Sequence, residues 1–62
     1  MPHIEVQGPK LSKEKKKQMV EEITESVKKA TNISKENIVV VITENDPENV
    51  GVAGELLVDK MK

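Results

Sequence analysis

Cysteine is absent from this 62-residue chain, which removes disulfides and thiolate metal sites together. Phenylalanine, tyrosine and tryptophan are absent too, so any core must be aliphatic and slim. There is one histidine, His3, with no second imidazole nearby, and a zinc site is not expected. All ten cationic side chains are lysines and none is arginine. Against eleven carboxylates they leave a formal net charge of −1. That balance, without a basic stripe or interleaved aromatics, excludes the usual nucleic-acid interface. No apolar run approaches the roughly 20 residues needed to cross a bilayer, and no signal-peptide pattern opens the chain. A cytoplasmic protein without membrane or nucleic-acid partners is expected. A chain this short is one domain, residues 1–62, and buries only a modest share of its surface. With disulfides and metals removed, self-association is the expected source of stability.

What remains is strongly patterned. Ile4 and Val6 alternate with His3, Glu5 and Gln7, the period of a half-buried strand, and Gly8-Pro9 punctuates it. Ser12 is a good N-cap for a helix from about Lys13 to about Thr31. Its apolar stripe is Met19, Val20, Ile23, Val27 and Ala30. The lysine run 15–17 sits where the helix macrodipole disfavours positive charge and reads as a solvated face. Residues 32–37 form a polar connector with room for one helical turn capped by Ser34. Ile38 to Glu44 is β-branched at six of seven positions and apolar on both parities, the pattern of a strand covered on each face. One helix covers only one face, so the other must meet another subunit. Residues 45–49 have loop composition, and 50–57 a glycine-punctuated pattern suited to a hairpin or β-arm. The tail from Asp59 is polar and expected to fray. Strand, helix, strand in this length means a βαβ unit with parallel strands.

One chemical feature stands at the front. Pro2 becomes the amino terminus if Met1 is trimmed, and small second residues generally permit trimming. A free terminal proline is a secondary amine. An α-amino group titrates near ~7.7–8, and burial lowers that value. A partly neutral amine is what a general base at neutral pH requires. While Met1 acylates it, Pro2 has no basic nitrogen.

In order and spacing, Met1-Pro2 running into a strand, Ser12 opening the long helix, Val40-Val41-Ile42-Thr43-Glu44 and Gly51-Val52-Ala53-Gly54-Glu55-Leu56 resemble the 4-oxalocrotonate tautomerase family across essentially the whole chain. The resemblance implies an α/β subunit, a single βαβ unit with a C-terminal β-hairpin arm. Subunits of this kind pair into dimers with a four-stranded sheet, and three dimers make a hexamer. It also implies an isomerase that needs no cofactor, in which the processed terminal proline moves a proton between enol or dienol and keto forms of a 2-hydroxy-enoate.

Here the chain departs from the family pattern. The two family arginines that meet the substrate fall at Leu11, with Lys10 beside it, and at Val39, and the family's aromatic wall falls at Val50. Pro2 therefore carries over as the catalytic residue. Lys10, Leu11, Val39 and Val50 are the candidate substrate-binding positions, with lysine offering a point charge instead of a planar fork. Weak activity, or a substrate less charged than a dicarboxylate, is expected. The alternative is an oligomer that keeps the scaffold without catalysis. His3 reads as a structural or surface residue, and Glu44, Asp46 and Glu48 as solvated carboxylates without calcium-loop spacing.

Overall fold

The computed structural model describes residues 1–61. Strand β1 (His3–Gly8) leads into helix α1 (Lys13–Thr31), which returns the chain to strand β2 (Val39–Glu44). The two strands are parallel, with His3 opposite Val39 and Gly8 opposite Glu44. A two-residue hairpin, β3 (Gly51–Val52) and β4 (Glu55–Leu56), follows, and a short helix α2 (Leu57–Lys60) closes the described chain. The βαβ unit with its hairpin arm is the architecture the alternation, the helical stripe and the glycines imply.

Local chemistry sets the boundaries. Ser12 is extended (φ −66°, ψ 159°) and its hydroxyl accepts the Lys15 N–H at 3.2 Å, satisfying a donor the first turn cannot use. At the other end Asn32 adopts the left-handed conformation (φ 59°) and gives its N–H to the Lys28 carbonyl at 2.8 Å. Along α1, Met19, Val20, Ile23 and Val27 are half-buried, whereas Ala30, assigned to the same stripe, is exposed. The whole last turn, Lys28 to Thr31, is exposed.

Four local expectations change. Ser34 precedes a single 3-10 turn (Lys35–Asn37), but its hydroxyl bonds the Glu36 carboxylate instead of capping a backbone N–H. Residues 45–49 are not featureless loop. Pro47–Asn49 forms a second 3-10 turn, because Pro47 pre-sets φ and the Asp46 carboxylate accepts the Glu48 N–H at 3.0 Å. The tail does not fray at Asp59. Leu57 and Val58 are half-buried, the Leu57 N–H is held by the Val50 carbonyl at 2.8 Å, and Asp59 and Lys60 continue α2. Lys62, the end of that tail, lies outside the described residues. The β2 strand, patterned to be covered on both faces, has in the single chain one neighbour and one helix-covered face, and Val41 is left 43 % exposed.

That exposure is general. No described residue is fully buried. The accessible surface is 5078 Å², against about 4,000 Å² for a compact monomer of this mass by surface scaling. The radius of gyration is 14.7 Å, where about 11 Å is the norm for this length. The subunit is an elongated slab, 42 × 24 × 13 Å, with a sheet face and an arm left uncovered.

Candidate active site

The candidate residues fall into two groups at opposite ends of the sheet. Pro2 is half-buried immediately before β1, and its carbonyl accepts the Val39 N–H at 3.0 Å. This bond starts the parallel ladder, so Val39 is fixed beside Pro2 by backbone pairing and not by its side chain. Met1 projects past this point, 86 % exposed and outside the strand. Its removal leaves the ladder intact. His3, next along, points to the open face with Glu5, its Nε2 3.7 Å from Glu5 Oε1, both side chains more than half exposed. It makes no contact that would bear on the Pro2 nitrogen.

Lys10, Leu11 and Val50 lie beyond the other end of β1. Six strand residues separate the groups, a rise of about 20 Å. One subunit therefore does not bring Pro2 to Lys10. Val50 lines a hollow of about 610 Å³ with Pro9, Pro47 and Leu57, a largely apolar recess with the amides of Gln7, Asn45 and Asn49 also on its wall, where the C-terminal segment folds against the end of β1. Lys10 is exposed on the rim of a second hollow shared with Glu44, Asn45 and Asp46. Among the described residues Lys10 forms no ion pair.

Glu44, read from the sequence as simply solvated, is the organising residue of this end. Its Oε2 accepts the Leu11 N–H at 3.0 Å and lies 3.1 Å from the Lys16 ammonium. The Leu11 amide bond, then the Lys16 hydrogen bond and the charges of Lys16 and Lys10, hold its carboxyl below the usual value near 4.5. One lysine of the run 15–17 thus has a reason to stand at the helix start: Lys16 reaches across to the end of β2. No local sequence signal reveals this contact, because its partners lie on three different elements.

The family of tautomerase enzymes matches residues 2–60. A 2-hydroxymuconate tautomerase of Bacillus subtilis (strain 168) is 46 % identical over 46 residues, 74 % of each chain. The chain belongs to the 4-oxalocrotonate tautomerase family. The crystal structure of YwhB, described as a homologue of 4-oxalocrotonate tautomerase, superposes with a TM-score of 0.88 at 39 % identity, covering 94 % of this chain and 97 % of the other. DmpI from Archaeoglobus fulgidus superposes at 0.89 and 38 % identity over 94 % and 100 % of the two chains. Within the tautomerase family this chain has an isomerase's scaffold and role. No helix among its described residues is long and apolar enough to cross a membrane.

Proposed function

We propose that the protein is a cofactor-independent tautomerase that moves a proton between the enol or dienol and keto forms of a 2-hydroxy-enoate, in a cytoplasmic setting. Pro2, freed of Met1, is the general base and then the general acid. One group of modest basicity must take the proton from the hydroxyl side and return it to carbon, and a secondary amine with a pKa near neutrality does both. The observation that carries this reading is the placement of Pro2: half-buried, held through its carbonyl to Val39, with an exposed Met1 acylating its nitrogen.

The rest of the site must come from a second subunit, because Lys10 lies about 20 Å from Pro2 along the strand. Association that sets the Lys10 end of one chain beside the Pro2 end of another answers both this separation and the lack of a buried residue. The reading therefore includes a homo-oligomer, a dimer assembling to a hexamer. In it Lys10 meets substrate oxyanions, and Leu11, Val39 and Val50 supply apolar walls.

The test follows enol-to-keto absorbance for 2-hydroxymuconate and phenylenolpyruvate, using protein whose intact mass shows Met1 removed. Wild type is expected to accelerate ketonisation and Pro2→Ala to lose about a hundredfold or more, the scale of a positioned acid–base group. Equal rates for the two proteins on both enols would end the base assignment. A second reading, a scaffold oligomer without catalysis, is favoured by valine at position 39. Intact mass separates them, since native protein that retains Met1 has no basic Pro2 nitrogen.

A further inference from the structure

Resting on the site reading above, we infer that Glu44 sets the charge class of the ligand: the site takes a monocarboxylate with an apolar tail and discriminates against dicarboxylates. At the Lys10 end three donors could face an anion: the Lys10 ammonium, the Lys16 ammonium and the Leu11 N–H. The Leu11 N–H is spent on Glu44 Oε2 at 3.0 Å, and the charge of Lys16 is offset by the same oxygen at 3.1 Å. Lys10 is the cation left without an ion pair among the described residues, and its hollow is also lined by Glu44 and Asp46. Two lysines and two carboxylates leave that corner with no net charge. At the other end the residue beside Pro2 is Val39, which adds none. There is no arginine anywhere in the chain to supply a bidentate clamp.

Coulomb energy scales with ligand charge, so a neutral corner gives a dianion little advantage over a monoanion, while the dianion loses more hydration on entering. The recess around Val50, Pro9 and Leu57 suits a hydrocarbon tail; its polar lining is the uncharged amides of Gln7, Asn45 and Asn49, and no cation stands among its lining residues to offset a second carboxylate. Glu44 acts here in two ways. It holds the Lys10-Leu11 segment in place through the Leu11 amide, and it offsets the charge that segment presents.

The test titrates isotope-labelled, Met1-processed protein in its native assembly with two probes, sorbate and trans,trans-muconate, which differ only by methyl against carboxylate. Amide shifts read the affinities. Wild type is expected to bind sorbate at least as tightly as muconate. Glu44→Gln keeps an acceptor for the Leu11 N–H and removes the charge. It is expected to shift the sorbate-to-muconate affinity ratio roughly two- to fivefold towards muconate, the scale of an exposed charge pair. Asp46→Asn, which keeps its cap on the 3-10 turn, is expected to move the ratio the same way and supplies the answer if Glu44→Gln fails to fold. A purely structural Glu44 would weaken both probes by one factor and leave the ratio unmoved, which overturns the inference. So does a wild type that binds muconate more tightly than sorbate, or one that binds neither acid at millimolar concentration. Turnover is scored separately: wild type that binds sorbate but does not ketonise phenylenolpyruvate removes the proposed activity and leaves the charge class standing.

Discussion

The Val39 amide donates to the Pro2 carbonyl at 3.0 Å, so backbone pairing alone sets the proline beside the first residue of β2. Side-chain changes at 39 thus act on the proline without disturbing the backbone bond. Val39→Arg places a cation beside the proposed base. A neighbouring positive charge disfavours protonation of an amine. The acidic limb of the kcat/KM profile is expected to move to lower pH by up to about one unit, with the rate on 2-hydroxymuconate rising relative to phenylenolpyruvate. Unchanged profiles on both enols would mean that position 39 does not face the reacting amine.

Glu44 makes acid stability a second test. Its folded-state pKa is depressed by the Leu11 amide first and Lys16 next. A depressed carboxylate contributes stability above its unfolded value near 4.5, and that contribution is lost as pH falls through the lower folded value. The Glu36 carboxylate, depressed by the Ser34 hydroxyl, adds to the same slope. Thermal midpoints followed by circular dichroism are expected to drop below about pH 4.5 in wild type and less steeply in Glu44→Gln. Parallel curves for the two proteins would remove the assigned role of the Leu11–Glu44–Lys16 contact.

Two serines of identical sequence logic separate in the structure. Ser12 caps α1 through the Lys15 N–H; Ser34 caps nothing and bonds Glu36. Ser12→Ala is therefore expected to destabilise by about 1 kcal/mol in denaturant unfolding at fixed protein concentration. Ser34→Ala is expected to cost clearly less. Equal losses would mean that the hydroxyl of Ser12 is not the cap.

These contrasts show where the sequence was informative. Ile4 and Val6 alternating on β1, the stripe of Met19, Val20, Ile23 and Val27, and Ser12 at the helix start were legible because each is a local, periodic or short-range signal. Ser34 matched the same signal and failed, since a carboxylate two residues on competes for its hydroxyl. Glu44 was illegible because its partners, Leu11 and Lys16, are brought to it only by the crossover. The α2 turn was missed because it is tied down by the Leu57 N–H on the Val50 carbonyl, a bond from outside the helix-forming pattern. Pro2 and Lys10 could be named but not joined, because they stand at opposite ends of β1.

The uncovered face of that sheet gives a fourth prediction. Val41 is 43 % exposed at the centre of β2, opposite Glu5 in the ladder and on the face away from α1. An apolar residue there has a reason if another subunit lies on it. Val41→Asp would bury an unpaired carboxylate in such an interface, which the assembly cannot accommodate without losing contacts. Sedimentation is expected to show a smaller species, with enol turnover falling together with the assembled fraction, the outcome that the proposed meeting of Pro2 and Lys10 across chains requires. A Val41→Asp protein that sediments like wild type would place the interface elsewhere.

The hairpin turn offers the last. Ala53 and Gly54 both have positive φ, 54° and 81°, the pattern of a two-residue primed turn joining Val52 to Glu55. Gly54 takes that conformation without strain; the Cβ of Ala53 does not, at about 1 kcal/mol. Asparagine is the residue such a turn favours first. Ala53→Asn is expected to raise the unfolding free energy by up to about 1 kcal/mol if the arm unfolds with the rest of the chain. An unchanged midpoint, together with amide exchange in β3 and β4 as fast as in a free peptide, would show instead that the arm opens independently of the βαβ unit.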